Sequence, residues 1–204
     1  MSDASASDER AELRAHLQTP PMFTVEVDGA PLTLVSAWGL FSAKQIDEGS
    51  ALLLQELRAL PPPGRVLDLG CGYGAIGLVL AKAWPQSRVV LADKDLLAVE
   101  AAQANIERNG LTNARALLSP GFRDVPPGPY DLIVANLPAQ AGNEAIDELV
   151  LGAYDHLTPD GAIVVVTVLG LRRFIKRRLL AIFGNYHKAK QGARHAVAEA
   201  TRPA

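Results

Sequence analysis

Asp68-Leu69-Gly70-Cys71-Gly72-Tyr73-Gly74 decides how this chain is read. The apolar run Arg65-Val66-Leu67 leads into it, and Ala75-Ile76-Gly77-Leu78-Val79-Leu80-Ala81 leads out as a helix-like run. A strand, a glycine loop behind an acidic residue, and a helix together make a nucleotide-type cofactor site. Glycines reach left-handed backbone angles and admit a ligand where a Cβ would exclude it. The start of the helix adds free N–H groups and positive potential. Gly72-x-Gly74-x-x-Gly77 also satisfies the dinucleotide fingerprint, with Asp93 about 20 residues on, at the end of the next strand. Asp68 and Gly70 extend the motif beyond that fingerprint and point away from a dehydrogenase.

Outside the loop, bulk properties narrow the class. The chain has 204 residues, enough for one domain with a full core. A net charge of −2 excludes a polycation built for bulk nucleic-acid binding. Cys71 is the single cysteine, which rules out a disulfide framework and a cysteine zinc site. The histidines show no metal-ligand spacing, so no metal is expected. The apolar stretch Ala162 to Leu171 is too short to span a bilayer, and no charged leader precedes an apolar core. These features lead to the expectation of a soluble cytoplasmic protein; the oligomeric state stays open.

Residues 1–19 are polar, alanine-rich and charged, and are expected to form a disordered or loosely helical tail. Residues 20–64 read as an N-terminal extension. Phe23 to Val27 alternates by two, Asp28-Gly29 is a hairpin signal, and Pro31 to Val35 is the return strand. Ile46 to Leu60 has helical spacing and ends at Pro61-Pro62-Pro63-Gly64. From residue 65 to 204 strands and helices alternate. Strands are expected at 65–69, 88–92, 114–118, 131–135 and 162–168, with helices at 75–83, 95–109, 143–157 and 171–183. Tyr186 to Lys190 and Ala196 to Thr201 complete a seven-stranded set. The fold class is therefore α/β, a doubly wound and mostly parallel sheet with a hairpin-and-helix extension, its ligands at the carboxyl ends of the strands.

Two positions at those ends carry chemistry. Asp93 can accept hydrogen bonds from both hydroxyls of a ribose, while Asp95 is better placed to cap the following helix. Asn136-Leu137-Pro138 ends the fourth strand, across the sheet from the glycine loop. The Asn136 carbonyl and an adjacent backbone carbonyl can hold both N–H groups of an amine, so that its lone pair is directed and catalysis is mostly positioning.

Asp68 to Gly74 resembles the first motif, E/D-x-G-x-G-x-G, of class I methyltransferases that use S-adenosylmethionine. Asn136-Leu137-Pro138-Ala139 resembles the N-P-P-[FYW] motif of those that methylate planar nitrogens, with Leu137 for the first proline and Ala139 for the aromatic. Phe41-Ser42, Asp47, Gly49 and Leu52-Leu53-Leu54 resemble the F-S-x(4)-D-x-G-[ST]-x-x-L segment of small-domain methyltransferases related to the 16S ribosomal RNA guanine-N2 enzymes. Asn136 to Gly142 is similar to that family's N-P-P-I-R-A-G form. Leu157-Thr158-Pro159-Asp160-Gly161 resembles its turn into the fifth strand, and the likeness covers about Phe41 to Ala198.

The resemblance implies an S-adenosylmethionine-dependent methyltransferase domain over 65–204. Its cofactor would be held by Asp68, Gly70, Cys71, Gly72 and Gly74, by Asp93 and Lys94, and by Phe41 and Asp47 above the pocket. Asn136 and Pro138 would form the catalytic turn, with Asn136 also reaching the cofactor. Pro120 stands where the family carries an aspartate for the adenine amino group, leaving the Gly121 N–H to meet that ring. The implied substrate is a guanine exocyclic amine in ribosomal or other structured RNA. A glutamine side chain in a protein presents the same N–H pair, and a cofactor-binding module with weakened turnover is the reading that Pro120, Leu137 and Ala139 support. Leu171, Phe174, Ile175, Leu179 and Ile182 are expected to pack on the sheet. Arg172, Arg173, Lys176, Arg177, Lys188, Lys190 and Arg194 form an acid-free basic segment, read either as a solvated face or as an RNA-backbone contact.

Overall fold

Alternation between apolar strands and amphipathic helices builds a seven-stranded sheet, with a two-stranded hairpin beside it. The computed structural model describes residues 3–140 and 142–204. Helix α1 spans Asp3–Gln18, where composition led to the expectation of a disordered or loosely helical tail. Alanine, glutamate, arginine and leucine dominate it, all good helix formers, and no proline or glycine interrupts it. Its described side chains from Glu9 onward are exposed, so propensity rather than burial accounts for the helix.

Strands β1 (Met22–Val27) and β2 (Ala30–Val35) pair antiparallel through a turn at Asp28-Gly29. Both turn residues have positive φ, 50° and 78°, the geometry of the tight hairpin that Asp-Gly favours. The outer edge of β2 is closed by two side chains of helix α4 (Leu96–Arg108) and its C-cap. Asn105 accepts from Val35 N at 2.8 Å and donates to Val35 O at 2.7 Å. Asn109, one turn on, does the same to Thr33 at 2.9 and 2.8 Å. Each amide imitates a neighbouring strand, so the edge is satisfied without one.

The main sheet is built from β3 (Arg65–Leu69), β4 (Arg88–Asp93), β5 (Ala114–Leu118), β6 (Tyr130–Asn136), β7 (Leu157–Val168), β8 (His187–Gln191) and β9 (His195–Thr201). Its order is β5-β4-β3-β6-β7-β9-β8, with β9 antiparallel to both neighbours and the rest parallel. Strand β7 begins at Leu157, earlier than expected, because Tyr130 pairs with Leu157 and Leu132 with Ala162. The intervening Thr158–Gly161 turn bulges out of the ladder.

Period-two alternation sorts the strand residues to two faces. Val66, Leu132, Val134 and Val197 join a cluster with α2 (Glu48–Leu57), α3 (Ala75–Ala83), α4 and the hairpin. Leu67, Ile133, Ala135 and Ile163 face α5 (Asn143–His156) and α6 (Arg172–Phe183). In α6, Ile175 and Leu179 are buried, while Leu171, Phe174 and Ile182 pack partly buried beside them. The hairpin residues Val27, Leu32 and Leu34 lie in the same cluster as the sheet, so the extension shares the core of the domain. No helix among the described residues is long and apolar enough to cross a membrane.

Candidate active site

The carboxyl ends of β3, β4 and β6 lie side by side, and the residues singled out at those ends meet there. After β3 the chain turns sharply, with Gly70, Gly72 and Gly74 at φ 74°, 57° and 94°. Gly70 N and Cys71 N both donate to Ala92 O, which ties the loop to β4. A Cβ at Gly70 or Gly72 would meet no atom within 4 Å, so the loop presents open backbone. At Gly74 it would lie 2.0 Å from a Leu78 methyl, so there the glycine serves packing instead.

Asp68 is fully buried beneath the loop rather than at its surface. On β3 it shares a face with Val66 and points at α3, where its Oδ2 accepts from Gly77 N at 2.7 Å. Its Oδ1 is buried with no hydrogen-bond partner among the described residues. Burial pushes this carboxyl up to about 7, against the opposing Gly77 N–H, and the nearby Asp93 charge adds to the rise. Asp68 thus braces the loop from below.

Asp93 stands at the rim. Its Oδ2 accepts from Gly72 N at 2.9 Å and its Oδ1 from Asp95 N at 3.0 Å. A carboxylate offers about four lone-pair positions, so two remain for further donors. Asp95 caps α4, accepting from Leu97 N at 2.9 Å, as the sequence suggested. Lys94 between them is exposed. Cys71 is buried, and its thiol is pushed up by burial and by Asp68 and Asp93. It is a small neutral filler in a tight loop and not a nucleophile.

Asn136 ends β6 on the α2 side of the sheet, two residues beyond Val134. Its Nδ2 donates to Ser50 Oγ at 2.9 Å and lies 3.2 Å from both carboxylate oxygens of Asp47. Asp47 is the N-cap of α2, accepting from Gly49 N and Ser50 N at 2.9 and 3.1 Å. Leu137 N donates to Val166 O, and Pro138 is exposed just beyond. Ala141, within the same motif, lies outside the described residues. Tyr73 of the glycine loop, 4 % exposed, donates its hydroxyl toward Ser42 O and Gln45 O at 3.3 and 3.2 Å. It fastens the segment that carries Asp47 to the loop.

Two other expected residues lie outside these contacts. Phe41 is 75 % exposed. Gly121 adopts φ 60° in the turn after β5, where Ser119 is 1 % exposed and donates to Gly121 O at 2.8 Å. The basic segment is divided. Lys190 pairs with Glu56 at 2.9 Å and Arg194 with Glu48 at 2.6 Å, both acids of α2. Arg173, Lys176 and Arg177 remain exposed on α6, on the opposite face of the sheet. A groove of about 530 Å³ lined by Val25, Ile46, Leu54 and Val79 lies behind α2, and neither Asp93 nor Asn136 borders it.

Sequence reasoning passed over Ser50, Tyr73 and His195. Ser50 fills the [ST] position of the segment around Asp47, the one local signal among the three. His195 opens β9, and its ring comes within 3.1 Å of where a Gly49 Cβ would stand. Among the described residues no group of acidic, histidine or cysteine side chains has metal-binding geometry.

Comparison with known proteins places the chain in a family. Ribosomal RNA small subunit methyltransferase C of Pseudomonas entomophila is 38 % identical over 154 residues, covering 74 % of this chain and 46 % of the relative. Its counterpart in Hamiltonella defensa is 36 % identical over 167 residues, covering 80 % and 48 %. The chain thus spans about half the length of the curated relatives it matches. The T. thermophilus 16S rRNA N2 G1207 methyltransferase, solved with AdoMet and guanosine, superposes with a TM-score of 0.79 at 31 % identity. That match covers 89 % of this chain and 50 % of the other. A methyltransferase from Pyrococcus furiosus shares the fold at a TM-score of 0.64 and 24 % identity, covering 82 % and 91 %. The family model described as methyltransferase small domain matches residues 31–199, and this chain belongs to that family.

Proposed function

We propose that this domain is an S-adenosylmethionine-dependent N-methyltransferase acting on a guanine exocyclic amine in ribosomal or other structured RNA. The observation that carries the reading is Asn136. It stands at the carboxyl end of β6, the strand next to β3 and its open glycine loop, with its Nδ2 held by Ser50 and Asp47. Relatives of matching sequence are named for small-subunit ribosomal RNA methylation, which favours RNA over a protein glutamine.

The residues present fit the cofactor. Gly70 and Gly72 leave open space where any side chain would stand, and Asp93 keeps two acceptor positions for ribose hydroxyls. When bound, S-adenosylmethionine supplies an electrophilic methyl group on a sulfonium. The chain's part is alignment. Asn136 Oδ1 and the Leu137 carbonyl accept the two N–H groups of the target amine and so direct its lone pair. Pro138 restricts Leu137 to extended backbone, which holds that second carbonyl in place. No general base is needed, because the amine releases its proton to water as the new N–C bond forms. Arg173, Lys176 and Arg177, exposed on α6, suit a phosphate backbone. The setting is cytoplasmic, where ribosomal RNA is modified.

The test is methyl transfer from tritiated S-adenosylmethionine to small-subunit ribosomal RNA, transfer RNA and protein extract in separate reactions. The expected result is label in RNA that elutes as N2-methylguanosine after digestion. Label in protein alone would transfer the reading to glutamine. Cofactor binding without transfer to any of them would leave a binding module.

A further inference from the structure

We propose that Asp47 and Ser50 are positioning residues that fix which way round the Asn136 amide sits, turning its carbonyl oxygen to the open edge of the sheet. The inference rests on the reading of Asn136 as the group that orients the methyl acceptor, and it adds what makes that group directional.

An asparagine amide has nearly the same shape in either of its flipped orientations, yet only one presents a carbonyl to an incoming amine. Packing alone does not choose between them; hydrogen-bond partners do. An ionised carboxylate accepts and never donates. With Asp47 Oδ1 and Oδ2 both 3.2 Å from the Asn136 nitrogen, the flipped amide would set its oxygen against two carboxylate oxygens. Ser50 Oγ, at 2.9 Å, accepts from the same nitrogen, but a hydroxyl could equally donate to a flipped oxygen. Asp47 therefore sets the direction, and Ser50 holds the amide in plane.

Asp47 itself has no freedom to turn aside. Its Oδ1 caps α2 through Gly49 N and Ser50 N. A side chain at position 49 would crowd that oxygen at 3.0 Å and the His195 ring at 3.1 Å, so glycine there lets the cap close against β9. Ser50 is 3 % exposed, and α2 is anchored by the fully buried Leu53 and Leu57. The cap that starts the helix and the group that orients Asn136 are the same carboxylate.

Asp47→Asn tests this cleanly, because asparagine and aspartate cap helices equally well and are nearly the same size. An amide at position 47 can pair with either orientation of Asn136. The expected result is a fall in kcat of about tenfold or more, larger than any loss of affinity for S-adenosylmethionine, with an unchanged melting temperature. Ser50→Ala should also lower kcat, and Ser50→Thr should restore it. Adding Asp47→Asn to Asn136→Ala should cost nothing further, since both changes act through one group. Full activity in Asp47→Asn, a loss confined to cofactor affinity, or losses that multiply with Asn136→Ala would each overturn the proposal. A second readout needs no substrate. The Asn136 side-chain amide protons, assigned by their disappearance in Asn136→Ala, should exchange slowly with solvent in the native protein and faster in Asp47→Asn. Equal exchange in both would refute the proposal even if RNA is methylated, and protection lost in the variant would uphold it even if RNA is not the substrate.

Discussion

The β3–β4 side of the carboxyl edge and the β6–α2 side hold their groups by different means. On the first, backbone does the work. Gly77 N–H meets Asp68, Gly72 N–H meets Asp93, and Gly70 and Cys71 N–H meet Ala92, all within a stretch of 26 positions from Asp68 to Asp93. On the second, side chain meets side chain across long loops, Asn136 reaching Asp47 and Ser50 over separations of 89 and 86 residues. The first site is set once β3, its turn, α3 and the next strand β4 come together. The second exists only when α2 has docked on the finished sheet, through Leu53 and Leu57 below and the Glu48–Arg194 and Glu56–Lys190 pairs at its flank. A locally built loop tolerates one fixed shape of ligand; an assembled contact can be adjusted by anything that moves α2.

The largest expected effect tests how deeply the local side depends on its buried carboxyl. Asp68 is raised from 3.8 to about 7, with burial as the main cause. Its unfolded counterpart ionises near 3.8, so between that pH and about 7 the unfolded chain gives up a proton the folded one retains. Stability from this group is full below the unfolded value and is lost as pH rises through the folded one, by on the order of a few kcal/mol. Asp68→Asn keeps an acceptor for Gly77 N–H and cannot ionise. Urea midpoints measured at pH 5 and pH 8 should differ less in the variant than in the native chain, with the native chain gaining relative to it at the lower pH. Equal differences would mean that Asp68 is not the buried acid the geometry describes.

The next contrast separates the two sides by readout. Asn136→Ala should lower kcat by about a hundredfold or more while leaving cofactor affinity intact, since alignment of the amine is lost. Asp93→Ala should do the reverse, weakening S-adenosylmethionine by about 1.5–3 kcal/mol for a lost hydrogen bond to a charged group. Its kcat at saturating cofactor should hold. Titration calorimetry and single-turnover methyl transfer read the two quantities independently. If either variant lost both in equal measure, the edge would be one coupled site and the division would fail.

The same contrast explains what could be read before the fold was known. The expected strand at Arg65–Leu69 and helix at Ala75–Ala83 coincide with the observed ones, because apolar runs, glycines and the first helical turn are contiguous there. The Asp28-Gly29 hairpin was equally legible, since two positive φ angles are a local demand. The Asn105 and Asn109 clasp on β2 was not, because nothing near α4 in sequence announces an edge some 70 residues earlier that needs closing. Lys190 and Arg194 read as part of a solvated face or an RNA-backbone contact for the same reason. Their acids, Glu56 and Glu48, lie 134 and 146 residues away. Asn136 was visible as a strand-ending polar residue, but its partners depended on where α2 comes to rest. For α1, alanine-rich composition suggested a disordered or loosely helical tail, and helix propensity accounts for the helix, whose described side chains from Glu9 onward are exposed.

Tyr73 carries the smallest of these effects and the most direct bearing on how the two sides are joined. It belongs to the glycine loop by sequence, yet its hydroxyl reaches the Ser42 and Gln45 carbonyls in the segment leading to Asp47. Burial and the Asp47 charge raise its phenol above the usual value, so it remains a neutral donor throughout the working range. The ring packs edge-on against Phe23 of the hairpin at 6.0 Å, so Tyr73→Phe would keep the packing and remove only the hydroxyl. Two long acceptor contacts share that one donor, and their loss should cost about 0.5–1.5 kcal/mol of stability. Activity is the sharper measure. If the segment relays the loop's position to Asp47, the variant should lower kcat modestly while cofactor affinity stays level, and hydrogen exchange should quicken at residues 42–47 without change in β3 or α3. Exchange that quickens in the glycine loop as well would mean that the loop depends on its neighbour, and that the local side is less self-sufficient than its hydrogen bonds imply.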